Sequence, residues 1–204
     1  MELQKTAIVA LGQFNPAILT PPWMFQQNLI EKTEATTEHP VGLGVQFARH
    51  KAGEFSWIVG YDRLAMEHVG PKAGEETTAA ALVRRILKLL PHTPVHAIGN
   101  NFAFSGFRYI QLQADVAERP LNLTLDANGY RLSEFIHTVT TEDPRGIQVQ
   151  IRIEGSPDST IRQVLFNFHR NVRSIDDADA ALKSASEDLE AARKMMKALM
   201  EESS

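Results

Sequence analysis

The stretch Glu75 to Phe104, EETTAAALVRRILKLLPHTPVHAIGNNFAF, decides the fold. Ala79, Leu82, Val83, Ile86 and Leu90 recur at helical spacing, and Leu87 and Leu89 widen the stripe, while Arg84, Arg85 and Lys88 lie off its centre. Glu75 and Glu76 in the expected first turn and Lys88 in the last suit the helix dipole. Pro91 cannot continue the hydrogen-bond ladder, so the helix ends there. The strand that follows, Val95 to Phe104, places His96, Ile98, Asn100, Phe102 and Phe104 on one face. Val95, Ala97, Gly99, Asn101 and Ala103 occupy the other, and these small side chains predict close approach of a helix. Asn100 and Asn101 put one amide on each face of an apolar strand, and Gly99 beside them suggests a β-bulge.

Outward from this unit, Lys5 to Phe14 reads as a first strand with apolar residues on both faces, hence central and covered twice. Thr20-Pro21-Pro22 opens a short helix through Trp23, Phe25 and Leu29, since proline is tolerated in a first turn. The polar run Glu31 to Pro40 reads as loop. Leu43, Val45 and Phe47, then Phe55, Trp57 and Val59, alternate as half-buried strands around a turn at Lys51-Ala52-Gly53. Leu64, Met66 and His68 follow after a turn or bend near Gly60. Tyr109 to Gln113 and Leu132 to Thr140 are further candidate strands, with Ala114 to Gly129 unreadable between them. Ile147 to Glu154 is the cleanest strand, with Ile147, Val149, Ile151 and Ile153 facing in. Gly155 to Ser159 is a hairpin loop, and Ile161 to His169 returns. Hairpin-linked strands outnumber helices, which predicts an antiparallel sheet rather than βαβ crossovers.

The strongest pattern is C-terminal. Ser174 with Asp177 forms a capping box with Asp in the usual Glu or Gln place. From there Ile175, Ala178, Leu182, Ala185, Leu189, Ala192, Met196 and Leu199 alternate three- and four-residue steps, a heptad seam. Such a helix is about 37 Å long at ~1.5 Å per residue. An eight-residue strand spans only about 26 Å. The helix is therefore expected to overhang the sheet and to seek a partner through Ile175, Leu182, Leu189, Met196 and Leu199. The alternative is that it lies diagonally across its own domain. The expected class is α+β: a mostly antiparallel sheet of about six to eight strands, two main helices and the heptad helix. Residues 1–173 read as one domain and 174–204 as a self-association element.

The totals fit this. A chain of 204 residues supports a core without covalent staples. It contains no cysteine, which excludes disulfides, thiolate metal sites and a cysteine nucleophile. No apolar run reaches the ~20 residues of a membrane helix, and no signal-peptide core is visible, so the cytosol is the expected compartment. The net charge of −4 is matched by the segment from Ile175 onward, with eight acids against four bases, leaving a neutral body. That distribution argues against a nucleic-acid or membrane-surface binder.

Two phrases, GQFNPAILTPPWMFQ (Gly12 to Gln26) and LPHTPVHAIGNNF (Leu90 to Phe102), resemble segments of a family of uncharacterised bacterial proteins of similar length. The resemblance covers the first half of the chain. It implies a bacterial cytosolic protein and carries over no catalytic or binding residue.

Motifs that carry chemistry are scarce. His92 and His96 are four apart, but Pro91 and Pro94 forbid a helix there. On a strand they stand about 13 Å apart, too far to share a metal. No cofactor or metal is expected. Phe166-Asn167-Phe168-His169-Arg170 mixes aromatics with bases yet fits a core equally well. Gly42-Leu43-Gly44 lacks the rest of a dinucleotide fingerprint, and no nucleophile elbow occurs. Two readings stay open. One is a non-enzymatic interaction or assembly module that homodimerises through its C-terminal helix, with a further protein partner possible. The other is a small-molecule-binding protein or enzyme with a pocket at His96, Asn100 and Asn101.

Overall fold

The computed structural model describes residues 2–39, 47–105, 135–155 and 161–201. In chain order the elements are β1 (Glu2–Gly12), α1 (Pro21–Gln26), β2 (Ala35–Glu38), β3 (Phe47–Ala52), β4 (Phe55–Gly60), β5 (Arg63–Val69) and α2 (Thr78–Leu89). There follow β6 (Val95–Ser105), β7 (Phe135–Glu142), β8 (Gln148–Gly155), β9 (Ile161–Asn171), α3 (Ile175–Lys183) and α4 (Ala185–Glu201). Among the described residues nine strands form one antiparallel sheet in the order β2-β3-β4-β5-β1-β6-β9-β8-β7. The expected mixed fold with an antiparallel sheet is present, with more strands than expected.

The connectivity repeats itself about the centre. β1 and β6 lie side by side, Ile8 opposite Asn100 and Ala7 opposite Asn101. From each of them the chain goes to one edge, returns as a meander and then forms helix. β5 closes the first meander against β1 and leads into α2; β9 closes the second against β6 and leads into α3.

The fully buried large apolar side chains of the sheet project from one face. Ile8 and Ala10, Trp57 and Val59, Leu64 and Met66, and Ile98 form one core with α1, α2 and α3. Phe102, Phe104, Phe166, Phe168, Val149 and Ile153 form a second core with α4. Two edge-to-face contacts, Phe102 with Phe168 and Phe104 with Phe166, fill the space under α4. The helices therefore meet the Ile98–Phe104 face of β6, and the small face of Ala97, Gly99 and Ala103 is the opposite one. The expectation had the faces reversed. Bulk decides it, because large apolar side chains are what a helix layer removes from water.

Smaller corrections have equally local causes. Ala35–Glu38 was expected to be loop but is an edge strand on β3. It is polar and exposed on both faces, so no periodicity marks it. The β3–β4 turn is Gly53-Glu54, one residue later than expected, with Gly53 at φ +57° supplying the left-handed position. Glu75 and Glu76 precede α2 rather than forming its first turn; their carboxylates accept the backbone N–H of Lys72 (3.1 Å) and Gly74 (2.7 Å). Gly99 is no bulge, being in regular register with Val9 and His169. The expected strand at Tyr109 to Gln113, the unreadable run after it and the loop beyond Gly155 lie outside the described residues.

The C-terminal pattern gives the largest correction. Ser174 caps as expected, its Oγ accepting the N–H of Asp177 at 3.1 Å. One uninterrupted helix was expected; α3 and α4 are separated at Ser184. The heptad seam lies on its own sheet: Leu182, Leu189 and Met196 are buried there, and Ile175 and Leu199 pack at its margins. Most of the outward residues are charged, among them Asp176, Lys183, Glu187, Glu190, Lys194 and Lys197. Among the described residues the expected dimer seam thus packs against the sheet of its own domain. Arg84 on α2 donates to Asp179 on α3 (2.8 Å), tying the helix layer together and, with Lys183, holding that carboxyl at about 2.

Leu189→Ala is expected to cost about 2–5 kcal/mol by urea unfolding, as a cavity in a packed core does. The midpoint should be the same at low and high protein concentration. A concentration-dependent midpoint would return the seam to an interface between chains.

Candidate functional site

His96, Asn100 and Asn101 line neither of the two clefts described below. His96 is exposed at the start of β6, and Asn100 is completely buried four residues on. Asn101 points to the opposite face, where its Nδ2 donates to the carbonyls of Ala7 (3.2 Å) and Gly99 (3.1 Å). It stands directly across from Asn167. A Cβ on Gly99 would lie 3.0 Å from Asn167 Oδ1 and 3.5 Å from Asn101 Nδ2, so the glycine makes room for the two amides.

Asn100 belongs to a buried polar cluster that fixes the C-terminal helices. Its Nδ2 donates to Asp188 Oδ2 (2.7 Å) and to the carbonyl of Ala181 (3.0 Å), which also accepts from Ser184 Oγ (2.9 Å). Side-chain donors thus supply the last turn of α3 where the helix breaks. Asp188 is fully buried and receives a bidentate pair from Arg170, each bond 2.7 Å, and a further bond from Arg145 (2.8 Å). Arg145 also holds the buried Asp143 and stands 5.9 Å from the centre of the Phe168 ring. Every Asp188 oxygen meets a cation, which is the condition for keeping a carboxylate in a core. The cluster is architecture.

The arrangement with chemistry left over lies at the other half of the sheet. Strand β5 alternates Leu64, Met66 and His68 toward the core, so His68 is 2% exposed. Phe55 stacks on its ring at 4.5 Å between centroids and an angle of 27°. The β3–β4 turn delivers Glu54 to the end of β5, where its carbonyl accepts the N–H of Val69 (3.0 Å). Its carboxylate Oε2 stands 3.4 Å from His68 Nε2. The loop before α2 delivers Glu75. One ligand atom from each of Glu54, His68 and Glu75 can be chosen so that all lie within 4.8 Å of one another. They face a cleft of about 450 Å³ bounded by the residues after α1, the β3–β4 turn and the start of α2. Its apolar wall includes Leu29, Phe55 and Leu82, and its charged liners are Glu31, Glu54 and Glu75.

His68 is poorly partnered. Its Nδ1 is buried without a hydrogen bond, and Nε2 has only the long approach to Glu54. The Thr6 hydroxyl is buried and unpartnered as well, and Thr6 sits directly opposite His68 in the β1–β5 register. Buried polar groups without partners are uncommon, and these two stand at facing positions of neighbouring strands.

A second cleft of about 810 Å³ is lined by His50, His39, Tyr61 and the prolines 16, 21 and 22. His50 Nδ1 shares a hydrogen bond with Thr37 Oγ1 (2.9 Å), while Nε2 is buried and unpartnered. Burial, and then the nearby His39, lower its pKa. The acidic cleft is distinguished by its gathered charge.

Sequence reading missed Glu54, His68 and Glu75 because they come from a turn, a strand and a loop with no common period. The one local signal was His68 itself, a histidine at a core position of an alternating strand. No family model matches the chain, and no curated protein matches it. Among the described residues no helix is long and apolar enough to cross a membrane.

Asp188→Ala leaves two guanidinium groups and an amide facing an empty acceptor site, and is expected to cost about 3–5 kcal/mol by urea unfolding. Asp188→Leu combined with Arg170→Met should recover most of that loss. A cost for the single variant below about 1 kcal/mol, the size of a surface pair, would show that the cluster is not an anchor.

Proposed function

We propose that the protein is a non-enzymatic binding module that holds a small cationic ligand in the cleft of Glu31, Glu54, His68 and Glu75. The observation that carries this reading is the cleft's electrostatics. Its charged liners are acidic, and a buried, under-bonded imidazole stands at its wall. Low-dielectric walls such as Phe55 and Leu82 strengthen the attraction of these carboxylates for a positive charge. Of the two readings open from sequence, ligand binding is retained and moved to a different place. Assembly through the C-terminal helix loses its support, since the seam is buried against the sheet of its own chain. The bacterial cytosol remains the proposed setting, on the sequence resemblance and composition alone.

The test is thermal unfolding of the full chain with two probes, Zn²⁺ and 1,4-diaminobutane. At least one should raise the midpoint by about 5–10 °C when present at a hundredfold excess over its Kd. The rise should vanish in Glu54→Gln/Glu75→Gln. No shift with either probe overturns the proposal.

A further inference from the structure

We infer that the cleft is a divalent transition-metal site, with His68 Nε2 and one carboxylate oxygen each from Glu54 and Glu75 as ligands and Thr6 as the group that orients the imidazole. This rests on the reading of the cleft as a cation site and gives its ligand a chemical class.

The spacing favours a metal over an ammonium group. A separation of 3.4 Å between His68 Nε2 and Glu54 Oε2 is long for a charge-assisted hydrogen bond, which closes to about 2.7–2.9 Å. It is the separation of two ligands on one tetrahedral ion: bonds of about 2.0–2.1 Å at the tetrahedral angle place their atoms about 3.3–3.4 Å apart. One oxygen of Glu75 lies within 4.8 Å of a ligand atom of each of the other two residues and can close the remaining gap by side-chain rotation. Glu75 Oε2 accepts the N–H of Lys72 at 3.1 Å, which ties the carboxylate to the loop before α2. One nitrogen and two carboxylate oxygens suit zinc, manganese or iron better than magnesium, which prefers oxygen and water. Three protein ligands leave a position open to the cleft.

The inner side of the ring supplies the second argument. A histidine that binds metal through Nε2 must carry its proton on Nδ1, and that N–H needs an acceptor. Nδ1 of His68 and Oγ1 of Thr6 are both buried and both unpartnered, at directly opposed positions of β5 and β1. The two atoms are not bonded to each other here; a small shift that lets Nδ1–H donate to the hydroxyl would satisfy both and fix the metal-binding tautomer. Phe55, stacked on the ring, holds its plane.

The experiment is titration of chelator-treated full chain with Zn²⁺ by calorimetry and with Co²⁺ by visible absorption, alongside Mg²⁺ and 1,4-diaminobutane. One Zn²⁺ per chain is expected, with Co²⁺ giving the intense d–d bands of a four-coordinate site and Mg²⁺ binding far more weakly. Glu54→Gln and Glu75→Gln, both at the accessible rim, should each weaken Zn²⁺ at least tenfold. Thr6→Val should weaken it by about 10–100-fold, the usual effect of losing a ligand's hydrogen-bond partner, with Thr6→Ser restoring it. Zn²⁺ binding that is absent, or unchanged in Glu54→Gln/Glu75→Gln, overturns the metal assignment. Binding of the diamine without Zn²⁺ also overturns it while leaving the cationic cleft standing; failure of every probe removes both. Equal affinities for Thr6→Val and the parent chain remove Thr6 from the site.

Discussion

The bidentate bond between Arg170 and Asp188 is the interaction on which the arrangement depends. It joins the last strand of the sheet to the first turn of α4, and Asn100 extends it to the end of α3. A carboxylate with no solvent contact is tolerable only because two guanidinium groups and an amide meet it together. The consequence is positional. Apolar packing of Leu189, Ala192 and Met196 would tolerate small slips of a helix along the sheet, whereas a three-partner hydrogen-bond cluster would not.

That fastening explains how the heptad pattern misleads. A three-four repeat states that one stripe of a helix is buried; it does not state against what. The aromatic face of β6 and β9 is a partner of the same chain, and Phe102, Phe104, Phe166 and Phe168 fill the space beneath the seam. The same limit applied to Asn100. Its position on an apolar strand face was legible, but its partner lies 88 residues away in sequence. Elements whose burial is encoded locally were readable: β1 as a central strand, though the helices cover only its Ile8 and Ala10 face rather than both, α2 by its stripe and Pro91, β8 by its alternation. The exposed edge strand β2 carries no such signal, and its two threonines were too short a run to identify it.

The cleft was invisible for a related reason. Glu54 and His68 are fourteen residues apart, joined only because β4 and β5 form a hairpin, and Glu75 arrives from the following loop. The site lies on the half of the sheet away from the Asp188 cluster, beside a two-residue turn and a loop held by its own carboxylates. The rigid strand supplies the histidine and the accessible turn and loop supply the acids. That division suits a site in which one ligand is fixed and the others close around an ion.

The most direct measurement is a crystal structure of the full chain grown with Zn²⁺, with anomalous diffraction collected on both sides of the zinc absorption edge. One strong peak is expected about 2.0–2.2 Å from His68 Nε2 and from a carboxylate oxygen of both Glu54 and Glu75, with His68 Nδ1 hydrogen-bonded to Thr6 Oγ1. An ordered cleft with no peak, or zinc bound only at surface histidines such as His92 and His96, would contradict the metal assignment.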